Sequence, residues 1–207
     1  YCSTRQGPLE FSTSPADGTK IVAVDFSVSG DNNRHVIQGR MTGPSGTLSD
    51  VLELNSDQSP IEDMAVASNG DGFGVAWKTA SNDHFQQFNN DGTRSYNSST
   101  FNYLQRQLPA GTFGSNLEVL WVRDRWVVVS AKKTTREVPC ESEGGCFSDE
   151  YTAHDMGVLG TYGPLPEPFV VGEFWSNFDG PGAEMVYVPA NDTLMAVGGS
   201  VDFVGVD

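Results

Sequence analysis

A strand–turn–strand unit that recurs along the chain is the feature that most constrains its fold. In the clearest copy, two runs of small, aromatic and β-branched residues, 64–68 and 73–78, flank the turn 69–72, which reads Asn-Gly-Asp-Gly. Asn, Gly and Asp tolerate the positive φ of tight turns, so this segment predicts a β-hairpin. Three further hairpins of this kind are predicted around residues 15–18, 123–125 and 189–192.

The predicted hairpins are almost evenly spaced. Their second strands are expected to begin at Lys20, Phe73, Trp126 and Thr193, at intervals of 53 (20 to 73), 53 (73 to 126) and 67 residues (126 to 193). An insertion of about 14 residues in the last interval would restore the period, because loops absorb insertions in repeat folds. No long window sustains the apolar spacing of a helix. Four antiparallel strands repeating every ~40–55 residues are typical of β-propeller blades.

We therefore predict a single all-β domain over residues 1–207, propeller-like, with about four four-stranded antiparallel blades. The blade bounds are approximately 8–58, 59–108, 109–175 and 176–207. In the second blade, the third and fourth strands are expected at 84–88 and 93–98. Blades packed face to face would bury tryptophans such as Trp77, Trp121 and Trp126 between them. The last copy lacks a predicted fourth strand, so the domain is either a small propeller or part of a larger one.

Residues 67–77 and 87–92 carry a resemblance to a known group of proteins. They resemble the blade hairpins of secreted β-propeller repeat proteins, in which an Asn-Gly-Asp-Gly turn precedes a Phe-x-Val-x-Trp strand. The resemblance implies a propeller fold, but that group includes lectins, adhesion scaffolds and enzymes, so it selects no activity. The turn 69–72 is also similar to the calcium loops of integrin-type blades. Asp71 is its only carboxylate, so a hairpin turn is favoured over structural calcium, and no cofactor is expected.

The charge of the chain limits its partners. It has 27 acidic and 12 basic residues, for a formal net charge of −15. Phosphate contacts need clustered Lys and Arg, so binding to nucleic acid or docking on anionic lipid is not expected. No apolar run approaches the ~18 residues of a membrane span, so membrane insertion is not expected either.

The three cysteines bear on the compartment. Cys140 and Cys146 flank five polar or small residues, and we predict a disulfide between them, the alternative being a pair of metal-ligating thiolates. Cys2 is left over: it is free, bonded to another chain, or separated from its partner. A disulfide, two sequons at Asn97 and Asn191, and a chain that starts like a processed product predict a secreted or cell-surface protein.

The histidines are candidate metal ligands. The spacing predicts that four residues share the start of the third strand in their units: His35, His84, His154 and Asp202. They could form a metal site if that strand lined the propeller axis. The small, apolar first strands suit the axis better, which would place these side chains too far apart to share an ion at ~2.0–2.2 Å. We therefore predict no metal site.

Candidate ligand contacts lie in the loops between second and third strands and between blades, where propellers usually bind. One such loop, 174–180, places Trp175 and Phe178 beside Asn177 and Asp179. Aromatic faces next to amide and carboxylate groups suit a sugar or a peptide, although the loop could equally be a blade-to-blade connection. Two further candidates, from other loops, are Arg34 and Asp83.

Signals of catalysis are weak. The chain has no nucleophile elbow, phosphate loop or zinc-peptidase motif. Carboxylates near predicted strand ends could supply the pair that glycoside hydrolysis needs: Asp25, Glu62, Asp63, Glu118 and Glu184. We predict a secreted, non-catalytic β-propeller that binds or scaffolds a glycan or protein partner. The alternatives are a carbohydrate-active propeller enzyme and a structural subunit completed by another chain or by a second copy.

Overall fold

The computed structural model describes the backbone of residues 6–13, 18, 20–28, 34–42, 45, 52–57, 59–97, 102–103, 105–135, 147–158, 167–176, 184–191 and 193–197. Side chains are described chiefly for residues 59–95, 105–132 and 150–156, which contain most of the buried residues.

Every regular element in the described residues is a β-strand, and every pairing is antiparallel, which confirms the all-β prediction for this part of the chain. The first sheet contains β1 (Gln6–Thr13), β2 (Lys20–Val28), β3 (Arg34–Thr42) and β4 (Leu52–Asp57). The second contains β5 (Ile61–Ser68), β6 (Gly72–Thr79) and β7 (Asn82–Asn89). A short hairpin of β8 (Tyr96–Asn97) and β9 (Asn102–Tyr103) follows, and β10 (Gln105–Pro109) then pairs with β7.

The third sheet contains β11 (Ser115–Val122), β12 (Arg125–Thr135), β13 (Phe147–Val158) and β14 (Phe169–Ser176). A last pair is formed by β15 (Glu184–Val188) and β16 (Thr193–Val197). Among the residues described, no helix is long and apolar enough to cross a membrane.

Turn chemistry explains the hairpins of the second sheet. Gly70 has φ +94°, a conformation that costs glycine little, and the backbone N–H of Asn69 donates to the carbonyl of Gly72 at 3.1 Å. The turn that follows β7 uses Gly92, at φ +80°, in the same way. The side chain of Asn90 donates to the carbonyl of Gly70 at 2.9 Å, so the two turns support each other.

The fourth strand of the second sheet is not where the sequence predicted it. The prediction placed it at 93–98, whereas β10 is the strand that pairs with β7. Thr93 and Ser95 are held by the preceding turn instead: the N–H of Asn89 donates to the carbonyl of Thr93, and the N–H of Ser95 donates to the carbonyl of Gln87. These bonds close the turn, and the β8–β9 hairpin then intervenes before the chain returns to the sheet.

The insertion in the third sheet lengthens a hairpin. The insertion of about 14 residues expected between Trp126 and Thr193 does not interrupt the strands: β12 and β13 remain paired from Arg125 opposite Val158 to Thr135 opposite Phe147. Only residues 136–146 separate the two strands. Cys140 and Cys146 fall in that segment, so the predicted disulfide lies outside the described residues, as does Cys2.

Successive sheets pack through their first strands and their faces. β5 contacts both β1 and β11, and β11 contacts β15. Both faces of β6 are buried: Phe73, Val75 and Trp77 pack in a cluster that includes Ile37 of the first sheet, whereas Ala76 packs in a cluster with the third sheet. The strand has no solvent face because it lies between two neighbouring sheets.

The predicted burial of tryptophans between sheets is confirmed for Trp77 and Trp126, whereas Trp121 is only partly buried. Trp77 is in the cluster shared with the first sheet, while Trp126 lies between the second and third sheets with Trp121 packed against it. The indole N–H of Trp126 donates to the side-chain oxygen of Gln87 at 2.8 Å. A Cβ at Gly74 would lie 2.8 Å from the Trp126 ring, so the glycine makes room for this contact.

Two carboxylates connect the first strands of neighbouring sheets. Asp63 on β5 accepts the backbone N–H of Leu117 on β11 at 3.0 Å. Glu118 on β11 accepts the backbone N–H of Met185 on β15 at 2.8 Å. Hydrogen bonds to a charged acceptor are stronger than neutral ones, so these side chains help to fix the order and spacing of the sheets.

Candidate binding cleft on the third sheet

A cleft of about 240 Å³ lies against the third sheet, next to the connection between β10 and β11. Most of the side chains around it can form hydrogen bonds. The lining residues are Thr112, Gly114, Ser130, Lys132, Glu150, Thr152, His154 and Pro168.

The floor of the cleft comes from paired positions on two strands. Ser130 of β12 lies opposite Thr152 of β13, and Lys132 lies opposite Glu150. Side chains alternate between the faces of a sheet, so the residues between these pairs point the other way. Those intervening residues form the apolar cluster on the opposite face of the sheet, and they include Val129, Ala131, Tyr151 and Ala153.

The wall of the cleft is residues 112–114, and the second sheet holds it in place. The carboxylate of Asp83 accepts the backbone N–H of Phe113 at 2.7 Å. The ammonium of Lys78 donates to the carbonyl of Gly114 at 3.1 Å. The N–H of Gly114 donates to the hydroxyl oxygen of Ser130 at 2.8 Å, which joins the wall to the floor. The cleft is therefore shaped before any ligand arrives.

Gly114 allows this close approach. A Cβ at this position would lie 1.8 Å from the carbonyl oxygen of Ala131, a backbone atom that cannot move without disturbing β12. Only a residue without a side chain lets the connection lie directly on the sheet.

Burial shifts the pKa of two groups, one in the cleft and one behind its wall. Desolvation lowers the pKa of His154, whose ring is buried and meets Phe113 edge-on at 5.4 Å between centroids. Because the usual value is 6.5, His154 is uncharged at neutral pH and offers one donor and one acceptor. Burial also raises the pKa of the fully buried Asp83 carboxyl, and the hydrogen bond from Phe113 opposes that rise.

The sequence-predicted contact residues are distributed over different parts of the fold. Asp83 lies within β7 and not in a loop, and its buried carboxylate supports the cleft wall without lining the cleft. Trp175 lies on β14 and not in the predicted loop 174–180, with its Cα opposite Ser148 of β13. Arg34 begins β3 in the first sheet. The remaining three candidates are outside the described residues: Asn177, Phe178 and Asp179.

The histidines do not share one strand position, so that prediction is wrong. Each histidine pairs with a different position of the second strand in its sheet. His35 lies opposite the eighth residue of β2, and His84 lies opposite the sixth residue of β6. His154 lies opposite the fourth residue of β12. The discrepancy at His154 arises because β13 begins at Phe147, well before the predicted start. No group of three or more His, Cys, Asp or Glu side chains suited to a metal occurs in the described residues, and Asp202 lies outside them.

His84 has a packing role. Its ring stacks on Trp77 across the β6–β7 pair, with centroids 4.8 Å apart and planes 7° from parallel. This contact stabilises the second sheet and places the imidazole against an indole face.

Of the residues that line the cleft, sequence reasoning named His154, as a candidate metal ligand, and missed the others. A strict alternation of polar and apolar residues over 150–154, Glu-Tyr-Thr-Ala-His, was the signal that could have revealed a polar face on β13. The wall could not be found in this way, because contacts with residues distant in the sequence hold residues 112–114 against β12: those of Lys78, Asp83 and Ser130.

Comparisons with known proteins return no match: no family model, no curated protein and no solved structure is significantly similar to this chain. The chemistry of the cleft is therefore the guide to its ligand.

Proposed function

We propose that the chain is a secreted, non-catalytic, β-propeller-like domain that binds a glycan through the cleft on the third sheet. The propeller arrangement is supported by three four-stranded sheets followed by a hairpin, whose first strands contact one another in chain order. It is also supported by the starts of the four second strands, Lys20, Gly72, Arg125 and Thr193, which keep the near-regular spacing of the sequence repeat. The resemblance of residues 67–77 to secreted propeller repeats points the same way.

The observation that carries the binding role is the cleft itself. It combines hydroxyl, imidazole, ammonium and carboxylate groups on a rigid floor, with a wall held by hydrogen bonds from another sheet. Ligand sites are concave and largely preformed, with a few convergent polar groups that fix orientation. A small cleft of this kind suits part of a glycan better than the broad, flat surface of a protein partner.

The carboxylates favour binding over catalysis. Glycoside hydrolysis requires two carboxyl groups about 5–10 Å apart. Among the described residues that line the cleft, Glu150 is the single carboxylate. Asp63 and Glu118, which the sequence offered as catalytic candidates, accept backbone N–H groups between sheets. The carbohydrate-active enzyme is therefore the weaker alternative.

The test is a glycan array probed with the full chain, followed by analysis of the bound glycans. We expect binding to a subset of glycans, their recovery without cleavage, and loss of binding in the Thr152→Val variant, which removes a hydroxyl and keeps the side-chain shape. Thr193→Val, at an exposed position on β16, is the control and is expected to bind normally. Cleaved glycan would support the enzyme, and binding unchanged by Thr152→Val would exclude the cleft.

A further inference from the structure

The cleft also indicates which kind of sugar it accepts. We propose that it takes one uncharged sugar ring and discriminates against the corresponding uronic acid, a proposal that rests on the glycan-binding function above. The size, the charges and the hydrogen-bonding capacity of the cleft lead to this choice.

The size of the cleft limits the ligand to one ring. Its volume of about 240 Å³ is below the ~300–1,000 Å³ of pockets that enclose drug-sized molecules. A folded peptide loop or several sugar units would not fit inside, although the rest of a chain could extend from the open side. The unit that is recognised is therefore a terminal or protruding monosaccharide.

The charges of Lys132 and Glu150 are opposite, so together they give the cleft no net charge. Lys132 and Glu150 lie opposite each other on β12 and β13, and Cβ atoms of such cross-strand pairs are about 4.5–5.5 Å apart. A ligand carboxylate that approached the ammonium of Lys132 would therefore come close to the carboxylate of Glu150. His154 adds no positive charge at neutral pH, because burial lowers its pKa. The net charge of −15 on the whole chain also repels anions at long range.

Two hydroxyl groups around the cleft, those of Ser130 and Thr112, already form hydrogen bonds within the protein. Ser130 is almost fully buried and accepts the N–H of Gly114, so its hydroxyl joins the wall to the floor and is not offered to a ligand. Thr112 donates its proton to the carbonyl of Pro109 at 2.7 Å, so its oxygen is left to accept. The wall hydroxyl can thus accept from a ligand, and the floor offers the hydroxyl of Thr152 and the ammonium of Lys132.

A sugar hydroxyl both donates and accepts, whereas a carboxylate only accepts. Glu150 and Thr112 can accept from a ligand, and Lys132 can donate to it. A neutral sugar can satisfy both sets with adjacent hydroxyls. A uronic acid would leave acceptors on the protein facing acceptors on the ligand, and a site built to pair hydroxyls rejects analogues that leave its polar groups unpaired.

The experiment uses matched sugars that differ only at the exocyclic carbon. Isothermal titration of the full chain would compare methyl galactoside with methyl galacturonide, and methyl glucoside with methyl glucuronide. We expect at least one neutral sugar to bind, and its acid counterpart to bind at least about tenfold more weakly, because the cleft has no net positive charge to compensate for the desolvation of the acid's carboxylate. In Glu150→Gln, the acid is expected to gain affinity, which reduces this discrimination.

Asp124→Asn is the control for the change of charge. Asp124 is exposed in the turn between β11 and β12, so the variant removes the same charge from the same sheet, and discrimination is expected to stay unchanged. Equal or tighter binding of the acid by the unmodified chain would overturn the inference and leave glycan binding intact. Failure of every sugar to bind to a folded chain, both here and on the array, would overturn the inference and the proposed function together.

Discussion

Replacing Asp63 with alanine tests whether the sheets are held together by hydrogen bonds between their first strands. One carboxylate oxygen of Asp63 accepts the N–H of Leu117 on the next sheet at 3.0 Å, and the other accepts the N–H of Met64 at 2.9 Å. Hydrogen bonds to charged groups contribute about 1.5–3 kcal/mol each. Asp63 is partly exposed, so the lower figure applies to both bonds, and Asp63→Ala is expected to lower the free energy of unfolding by about 3 kcal/mol.

The neighbouring residue provides a matched control. Glu62 carries the same charge, but its side chain is 48% exposed and its contact with Lys78 is an ion pair at 3.8 Å. Exposed pairs of this kind contribute about 0–1 kcal/mol, so Glu62→Ala is expected to cost less than about 1 kcal/mol. Asp63→Asn keeps one acceptor oxygen and is expected to fall between the two alanine variants.

The assay is urea unfolding followed by tryptophan fluorescence, since Trp77 and Trp126 are buried and report on the packing between sheets. The slope of the free energy against urea concentration should be unchanged in all three variants, because the surface exposed on unfolding is the same. If Asp63→Ala and Glu62→Ala had equal effects, the bond to Leu117 would contribute nothing, and the role assigned to Asp63 would be refuted.

Two further predictions concern the wall and the floor of the cleft. Gly114→Ala would place a Cβ 1.8 Å from the carbonyl oxygen of Ala131, so we expect a loss of about 1–3 kcal/mol or more in urea unfolding and weaker sugar binding. The control is Gly111→Ala, at φ +77° with open space around the new Cβ, which is expected to cost only ~1–2 kcal/mol and to bind sugar normally. Equal sugar binding by the two variants would contradict the position assigned to the wall. The pKa of His154 is lower in the folded chain than its usual value of 6.5. Below pH 6.5 the unfolded chain therefore binds a proton more readily than the folded chain does, and the free energy of unfolding falls as the pH drops below that value. His154→Gln should flatten the dependence between pH 7.5 and 5 in the same unfolding assay, and an unchanged profile would show that His154 is not the group that titrates.

The hairpins were largely predictable because the residues that specify each hairpin are close together in the sequence. The turn 69–72 needs Gly70 at positive φ, and alternating residues on either side show which segments pair. Second strands were predicted to begin at Lys20 and Thr193, as observed, and at positions one residue beyond the observed starts of β6 and β12. The burial of Trp77 and Trp126 also followed, because a large aromatic residue in a strand with two apolar faces can only lie between sheets.

Prediction failed where one segment depends on a distant one. The fourth strand of the second sheet is β10, because hydrogen bonds in the turn after β7 engage Thr93 and Ser95, so that residues 93–97 do not form the edge of the sheet. The common position assigned to the histidines failed because β13 begins earlier than the repeat implied. In the first case the wrong segment was assigned to the sheet, and in the second the length of a correctly predicted strand was wrong.

By itself, the sequence determined that this chain forms antiparallel hairpins, since turn residues and a period of two act over a few neighbouring positions. The tertiary structure alone decided how the sheets are joined and where the cleft lies. Asp63 reaches Leu117 and Asp83 reaches Phe113 across separations of 54 and 30 residues, and no local pattern encodes such contacts. The cleft exists because packing of the second sheet against the third brings residues 112–114 onto the polar face of β12 and β13.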